Sequence, residues 1–448
     1  MAYPPKTQNG QTLLDKLKFQ SEVINAGKQT WLPLNSEKSK LSFNRSVLMT
    51  LHSSAPYDKA GYWYRTTALL TALKSHQVSV VCATRAGYPW DLRKHKDLPK
   101  VESEMVDNTL FFRLSAGGFP YKRGADLKYI NGYAQQLTEI AKAKKASVIH
   151  GHSNYLNGLA AIKAARDLGC NSVYEARGFW HMTQEAKTPG YKTTEQYDYE
   201  SKMERYALEL ADKVVTLSHA MKALITSWGI ESDKIHVVPN AVDTMQFSPT
   251  VKQACVNLTK SQLPDNHCFT IGFIGSLTVY EGLDVLIKAV VSLRHKGHNI
   301  QLVIVGSGPM ESELTSMAMQ HDCVHMVGSV AHEEVIAWYA QFDLCAYPRT
   351  DDEVCRYVPP MKVLEAMSME IPVVVSDLPP LTEMVDDMST GLVCTSVDLN
   401  SLAKCLEFGL SHPKELERIA SNARTWVMNN RTWHQNARRY ESLYNTFK

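Results

Sequence analysis

The 448-residue chain is predicted to be an α/β protein with two doubly wound parallel-sheet domains that face each other across a cleft. Two observations support this class. Short apolar segments typical of buried strands alternate with helical segments of ten or more residues, which indicates βαβ units and parallel sheets covered on both faces. The alternation also begins twice along the chain, and a chain of this length is expected to form two or three domains.

The first series of elements follows a polar leader of about 44 residues. Its predicted strands are SVLMTL (46–51), VSVVCAT (78–84), ASVIHGHS (146–153), NSVYEARG (171–178), KVVTLS (213–218) and IHVVPNAV (235–242). Its clearest helices are TTALLTALKSH (66–76) and LNGLAAIKAARDLG (156–169), and the second of these ends at a glycine, a common helix stop.

The second series repeats this pattern. Its predicted strands are FTIGFIGS (269–276), QLVIVGSG (301–308), VHMVGSV (324–330), DLCAYPR (343–349), IPVVVSD (371–377) and GLVCT (391–395). The polar, proline-containing segment 251–268 is typical of an interdomain boundary. We therefore expect an extension (1–44), a first domain (45–245), a second domain (246–427) and a final helix (428–448) that packs back onto the first domain.

Composition narrows the class of protein. The sequence has no run of eighteen apolar residues and no secretory signal at its start, which predicts a cytoplasmic protein. The nine scattered cysteines predict free thiols. Residues 1–245 hold 32 Lys and Arg against 23 Asp and Glu, whereas the rest holds 16 against 23. The basic first half is compatible with contact at an anionic membrane face or acceptor, and unorganised surface charge remains the alternative.

The segment 349–367, RTDDEVCRYVPPMKVLEAM, contains the strongest candidate site. It predicts a proline-stiffened loop that opens into a helix near Met361, and a helix N-terminus attracts phosphate. Arg356 and Lys362 would add positive charge. Glu365, three residues after Lys362, would accept hydrogen bonds from ribose hydroxyls. An exposed Lys–Glu pair without function is the alternative.

Glycines at strand ends give weaker signals. Gly275 and Ser276 follow a predicted strand, where glycine lets a ligand approach the backbone, although a simple turn is equally consistent. Gly306 and Gly308 suggest a dinucleotide fingerprint, but the third glycine position is Glu311, which argues against a dehydrogenase.

Polar residues also end strands of the first domain. His150 and His152 alternate on one side of a strand, and two histidines without a third ligand make a poor metal site. Glu175 and Arg177 form either an internal ion pair or a polar wall around a sugar, with Trp180 as a stacking surface.

Two further loops carry candidate features. Gly61 precedes a helix and is a candidate backbone site for an anion. Asp351 and Asp352 lack further oxygen ligands and are interpreted as solvated charges, so no metal site is expected.

These stretches together resemble the retaining glycosyltransferases of family 4, which have the GT-B fold of two Rossmann-like domains. The resemblance extends from about residue 45 to the end and is carried by VIHGHS, VVTLSHAMKALITSWGIESDKIHVVPNAVD, IGFIGSLTVYEGLDVLIKA, LVIVGSGP, VHMVGSVAHEEVIAWYAQFDLCAYP and VPPMKVLEAMSMEIPVVVSDLPPLTEMV. Their order and spacing are specific, although no single stretch is.

The resemblance implies roles for individual residues. Glu365 would hold the ribose, Gly61 would approach the donor diphosphate, and His152 would lie near the donor sugar. The segment VHMVGSV would present backbone groups to the base.

The chain also departs from the family pattern. The family commonly has Arg and Lys where this chain has Ser276 and Glu281, and a glutamate where it has Tyr357. Our hypothesis is that Arg356 and Lys362 neutralise the diphosphate instead.

The implied activity is transfer of a sugar, with retention, from a nucleotide sugar to a glycan or lipid-linked glycan in surface polysaccharide biosynthesis. A UDP-sugar is the expected donor on family resemblance alone, and neither a metal cofactor nor a nucleic-acid partner is expected. Two alternatives remain open: a nucleotide-sugar 2-epimerase of the same fold, and an inactive nucleotide-sugar-binding protein.

Overall fold

The computed structural model describes residues 41–58, 61–118, 126–251 and 268–447, which form two α/β domains, each built on its own sheet. Most of the predicted leader, residues 1–40, and the boundary segment 252–267 lie outside the described residues. The prediction of two parallel-sheet domains is confirmed.

The first sheet has eight strands within the described ranges. They are β1 (Ser46–Leu51), β2 (Ser79–Thr84), β3 (Ser103–Val106), β4 (Thr109–Phe112), β5 (Val148–His152), β6 (Asn171–Ala176), β7 (Lys213–Thr216) and β8 (Ile235–Val237), in the order β3-β4-β2-β1-β5-β6-β7-β8. The helices between them are α1 (Gly61–Ser75), α2 (Asp126–Ala143), α3 (Tyr155–Leu168), α4 (Trp180–Lys187), α5 (Glu195–Leu210) and α6 (His219–Ser227). The central strands are buried on both faces, as their continuous apolar segments predict.

The hairpin of β3 and β4 at one edge of this sheet is absent from the sequence prediction. It is the antiparallel pair of the sheet, and its turn places Asp107 at φ +45° and Asn108 at φ +58°. An Asp-Asn pair with left-handed backbone is typical of two-residue hairpin turns, so the turn residues carried a usable signal.

The second sheet has six parallel strands in the described part of the chain. They are β9 (Phe269–Ile274), β10 (Ile300–Val305), β11 (Val324–Gly328), β12 (Leu344–Tyr347), β13 (Val373–Ser376) and β14 (Leu392–Cys394), in the order β11-β10-β9-β12-β13-β14. The accompanying helices are α7 (Leu283–His295), α8 (Glu311–Ala318), α9 (His332–Tyr339), α10 (Lys362–Ser368), α11 (Pro379–Thr382), α12 (Leu399–Ser411), α13 (Pro413–Asn430) and α14 (Trp433–Tyr444).

The chain end contains two helices where the sequence predicted one. Helix α13 stops before Arg431, and Thr432 begins α14 with a capping box: its hydroxyl accepts from the Gln435 backbone N–H, and the Gln435 side chain accepts from the Thr432 N–H. Beside this break, Val242 donates to the Arg431 carbonyl at 3.0 Å. The two segments that connect the domains, around Val242 and around Arg431, therefore lie side by side.

Helix α14 lies on the first domain. Trp433, Tyr440 and Tyr444 are buried with Val47 and Leu69 in one apolar cluster. None of the described helices has the length and apolarity needed to cross a membrane.

Candidate active site

A pocket of about 560 Å³ opens where β9, β10 and β11 end. It is lined by the loops that follow these strands, at Gly275–Ser276, Gly306–Ser307 and Ser329–Ala331, and by Tyr64 of the first domain. A Cβ on Gly306, whose φ is +140°, would come within 1.9 Å of the Gly275 carbonyl oxygen. Glycine therefore lets the first two loops touch, and the pocket wall there is backbone that a ligand can approach closely.

Lys362, the first residue of α10, lies beside Gly275, which is one of the residues that line this pocket. A Cβ added to Gly275 would lie 3.0 Å from Lys362 Nζ and 3.3 Å from its Cδ. The same ammonium lies 4.1 Å from the centre of the Phe273 ring. The cation predicted from the sequence is thus held beside the strand-end glycine predicted for donor binding, and Gly275 lacks the side chain that would displace it.

Glu281 holds Lys362 in this position. Its Oε2 lies 2.7 Å from Lys362 Nζ, and its two oxygens accept from Arg349 Nε at 3.2 Å and Nη2 at 2.8 Å. Arg349 also donates to the Val358 carbonyl at 3.1 Å. Glu281 occupies the position where the family commonly has lysine, yet it pairs two cations, and the group of three retains a formal charge of +1.

Burial and charge set the protonation of this group. Burial raises the pKa of Glu281, but Arg349 and Lys362 outweigh it and lower the value to about 2. Burial lowers the pKa of Lys362 to about 8, although the Glu281 carboxylate opposes the change. Lys362 is therefore mostly charged at neutral pH and loses its charge a little above it.

Arg356 pairs with Asp351 at the protein surface. Its guanidinium makes two 2.6 Å hydrogen bonds to Asp351, and both side chains are about half exposed. Asp351 is thus one partner of an ion pair. No contact among the described residues joins Arg356 to the pocket, so its catalytic role stays a prediction.

Glu365 lines a second pocket, of about 460 Å³, that shares Tyr64 and His332 with the first. Glu365 Oε2 accepts from the Tyr339 hydroxyl at 3.0 Å, and burial raises the pKa of this carboxyl. The carboxylate is thereby oriented by a buried phenol and borders open space. This arrangement suits a hydrogen-bond acceptor for ligand hydroxyls.

The first domain closes over these pockets through α1. The Tyr64 ring stacks on His332, with 3.7 Å between the ring centres, and the Cβ position of Gly61 lies 4.0 Å from Met361 Cε. Gly61 therefore faces the start of α10, which fits its predicted approach to the donor. Trp180 packs edge-on against His52 at 4.8 Å, and sugar stacking by Trp180 stays a prediction.

Glu175, at the end of β6, is the centre of a buried ionic network. Its Oε1 accepts from Arg177 Nε at 2.6 Å and Arg65 Nη2 at 3.2 Å, and its Oε2 accepts from the Tyr440 hydroxyl. The arginines hold the pKa of Glu175 well below its usual value, although burial opposes them. The structure thus contains the internal ion pair that was one of the two interpretations of Glu175 and Arg177, and sugar binding by these residues stays a prediction.

His150 and His152 extend this network, and both side chains are fully buried. Burial lowers the pKa of His152 well below its usual value, and Arg177 adds to the effect, so this imidazole is neutral. The donor atoms of His150, His152 and Glu175 lie within 4.8 Å of one another, so the third ligand that the sequence lacked is present. Because Arg65 and Arg177 both contact Glu175, the site is unfavourable for a metal cation.

Four residues of the pockets and ionic groups described above were not predicted from the sequence: Arg65, Tyr64, Arg349 and Tyr440. Tyr64 follows Gly61 by three residues and thus shares its face of α1, a signal that could have been used. Arg65 and Tyr440 reach Glu175 from 110 and 265 residues away, and nothing in their local sequence indicates this contact.

Comparison with known proteins identifies both domains. A model of "Glycosyltransferase Family 4" matches residues 61–246, and a model of "Glycosyl transferases group 1" matches residues 268–412. A phosphatidylinositol N-acetylglucosaminyltransferase subunit of Arabidopsis thaliana is 23% identical over 318 residues, which are 68% of this chain and 65% of that protein. The chain spans 57–65% of the length of the first curated relatives that it matches.

Solved structures share the architecture. Sucrose-phosphate synthase from Thermosynechococcus elongatus superposes with a TM-score of 0.70 at 18% identity, covering 90% of this chain and 98% of that one. HepE of Anabaena in complex with UDP-glucose gives 0.65 at 18% identity, covering 89% and 99%. These likenesses establish the GT-B fold, and the two family models, one for each domain, identify the protein as a glycosyltransferase of the group 1 and family 4 type.

Proposed function

We propose that the protein is a retaining glycosyltransferase that transfers a hexosyl group from a UDP-sugar to a glycan or lipid-linked glycan acceptor in surface polysaccharide biosynthesis. The observation that carries this proposal is the position of Lys362, which lies beside Gly275 at the end of β9 with its charge only partly offset by Glu281. A fixed cation next to a glycine-lined strand end is suited to a diphosphate.

Glu365 supports binding of the nucleoside. Its carboxylate, oriented by the Tyr339 hydroxyl, would accept hydrogen bonds from the ribose 2′ and 3′ hydroxyls. The loops 306–307 and 329–331 would then receive the base through backbone groups. Binding of UDP-glucose by HepE, which has the same fold, supports uridine as the base.

The proposed reaction exchanges one bond at the anomeric carbon for another on the same face. The bond from C1 to the β-phosphate oxygen breaks with its electron pair going to that oxygen, and the acceptor hydroxyl oxygen forms the new bond to C1. The acceptor proton passes to a phosphate oxygen of the departing UDP. Lys362 stabilises the charge that grows on the diphosphate, which is commonly a large catalytic effect and needs no metal ion.

Two observations support the proposed acceptor: the positive charge of the first half of the chain and the name of one relative. Residues 1–245 are basic overall, which suits an anionic or lipid-linked acceptor at a membrane face, and the Arabidopsis relative is named for transfer to phosphatidylinositol. Flotation with anionic liposomes at rising salt tests this contact, because an electrostatic attraction weakens as the salt concentration increases. Binding that is unaffected by salt would contradict the suggestion.

Ligand screening is the first test of the donor. We expect UDP, and not GDP or ADP, to raise the melting temperature of the purified protein, because a ligand that binds only the folded state stabilises it. A UDP-sugar screen with a pool of glycan acceptors should then release UDP. The linkage of the product, determined by NMR, should show the same anomeric configuration as the donor.

A matched pair of variants ties the activity to the site. Lys362→Ala should lower turnover at least tenfold, which corresponds to a loss of about 1.4 kcal/mol or more of transition-state stabilisation. Lys288→Ala removes an exposed lysine from α7 and should leave turnover unchanged. Near wild-type turnover in Lys362→Ala would contradict the proposed role of Lys362 at the diphosphate. Conversion of donor to an epimer without acceptor would indicate the epimerase, and nucleotide binding without turnover would indicate the inactive binding protein.

A further inference from the structure

A third pocket has a lining that shares no residue with the two pockets of the proposed donor site. Its volume is about 630 Å³, which is within the range of small-molecule sites. It is bounded by α6, by β8 and by the outer face of α14, and the second domain contributes Glu383. None of its lining residues borders the pockets around Lys362 and Glu365.

The lining of this pocket is strongly basic. Four basic side chains line it, and Glu383 is the one carboxylate among the described lining residues; the basic side chains are Lys222, Arg431, Arg438 and Arg439. The Glu383 carboxylate is already used, because it accepts the backbone N–H groups of His219 and Ala220 at 2.9 and 2.8 Å. When the Glu383 carboxylate is counted against the four basic side chains, the lining has a formal net charge of +3.

The hydrogen bonds of these basic side chains go to uncharged oxygens, which do not offset their positive charge. Among the described residues, Arg431 and Arg439 donate to backbone or amide oxygens: Arg431 to the carbonyls of Asn430 and Glu383, and Arg439 to the Asn436 side chain at 2.7 Å. Lys222 donates to the Ile235 carbonyl at 2.8 Å. In the part of the chain that the structure describes, Arg431 Nε is buried without a hydrogen-bond partner.

The electrostatics of Arg431 agree with this geometry. Burial and the neighbouring Arg439 lower the pKa of Arg431 to about 10, against the weaker opposing effect of Glu383. His236, also in the lining, has a pKa lowered by burial and by Lys213 and Lys222. Lys222, Arg431 and Arg439 are partly buried and Arg438 is exposed, so a bound anion would offset the mutual repulsion of cations that lie close together here.

We propose that this pocket binds the phosphate monoester of a small phosphorylated molecule. Guanidinium groups make paired, charge-assisted hydrogen bonds to phosphate, and Arg431, Arg438 and Arg439 supply three of them from one region. The pocket is larger than phosphate alone, and Leu443 and Pro239 offer an apolar wall for the rest of the ligand. An occupant would touch both domains beside the point where the chain crosses between them.

Glucose 6-phosphate is a suitable first probe, with inorganic phosphate and neutral glucose beside it. Calorimetry is done at low salt with saturating UDP, so that the donor site is occupied. We expect saturable binding of glucose 6-phosphate, weaker binding of phosphate, and none of glucose. The double variant Arg438→Gln/Arg439→Gln should weaken binding about tenfold or more, because charge-assisted hydrogen bonds are lost.

Two comparison variants make the result specific. Arg418→Gln/Lys288→Gln removes two exposed cations that are not part of the pocket lining and should bind the probe as the wild type does. Lys362→Ala should also retain the binding. Unchanged affinity in Arg438→Gln/Arg439→Gln, or loss of binding in Lys362→Ala, would overturn the proposal.

The same variants distinguish a free ligand from a lipid headgroup. Vesicles that contain phosphatidic acid are mixed with the wild type and with Arg438→Gln/Arg439→Gln in a flotation assay. Variant-sensitive flotation that glucose 6-phosphate cannot displace assigns the phosphate to the lipid. Displacement by glucose 6-phosphate, or binding of it without flotation, assigns the site to a soluble phosphate ester.

Discussion

Raising the pH from 7 to 9.5 should weaken UDP binding, because Lys362 loses its proton in that interval. Burial lowers its pKa to about 8 in the free protein. The charged form is about 90% populated at pH 7 and about 3% populated at pH 9.5. If the charged form is the one that binds the diphosphate, the dissociation constant rises up to about 30-fold, or about 2 kcal/mol.

The sign of this change follows from the neighbours of Lys362. Affinity is nearly complete at pH 7 and falls as the pH rises through 8, since only the ammonium form pairs with phosphate. Glu281 has a pKa of about 2, and burial raises the pKa of Cys355 to about 12, so neither changes charge in this interval. The pKa of Arg349 is raised by Glu281 against the effect of burial, so it stays charged.

Isothermal titration calorimetry measures both consequences. The dissociation constant of UDP is determined from pH 7 to 9.5, and titrations at pH 8 in buffers of different ionisation enthalpy report proton uptake. About half a proton should be taken up at pH 8, since the diphosphate restores the ammonium form. Lys362→Arg should bind with little pH dependence, because arginine stays charged. A wild-type affinity that is constant up to pH 9.5 would refute the reasoning.

Three further variants test other parts of the site. Gly275→Ala should weaken UDP binding at least about tenfold, since its Cβ would meet Lys362 Nζ at 3.0 Å and its φ is +154°. Glu365→Gln should weaken UDP about tenfold and 2′-deoxy-UDP much less, since one ribose partner is already missing from the latter. Glu175→Gln should lower the free energy of unfolding in urea by about 3–5 kcal/mol, because two buried arginines lose their counter-charge.

Matched controls accompany these variants. Gly229→Ala introduces similar backbone strain at φ +90° in open space, so it should not affect UDP binding. Glu417→Gln changes an exposed carboxylate on α13 and should leave stability within about 0.5 kcal/mol of the wild type. Equal losses in a variant and its control would contradict the corresponding assignment.

The sequence predicted those features of the fold and the site that depend on residues close together along the chain. The fold was predictable because the buried strands are continuous apolar segments that alternate with helices, and this pattern survives in a single sequence. Lys362 and Gly275 could be singled out because each sits at the end of a strand or the start of a helix. Both positions follow from chain order alone.

The remaining site depended on distant pairings. Glu281 and Arg349 meet from 68 residues apart, and local sequence suggests that Glu281 is a lost cation when it actually positions one. Arg356, by contrast, looked close to Lys362 in sequence, yet Asp351 five residues away competes for its guanidinium. The sequence identifies charged side chains such as Glu281 and Arg356, but it does not show which oppositely charged group each of them contacts in the folded protein.

The return of α14 to the first domain has a consequence for synthesis. The ribosome makes residues 45–242 first, and Tyr440 and Tyr444, which bond to Glu175 and His150, follow about 200 residues later. At about 5–20 residues per second, roughly 10–40 s pass between the two events. During that delay the nascent first domain exposes the apolar face that α14 later covers, whereas the second domain can close its own core. The first domain can therefore complete its folding only after the second domain has been translated.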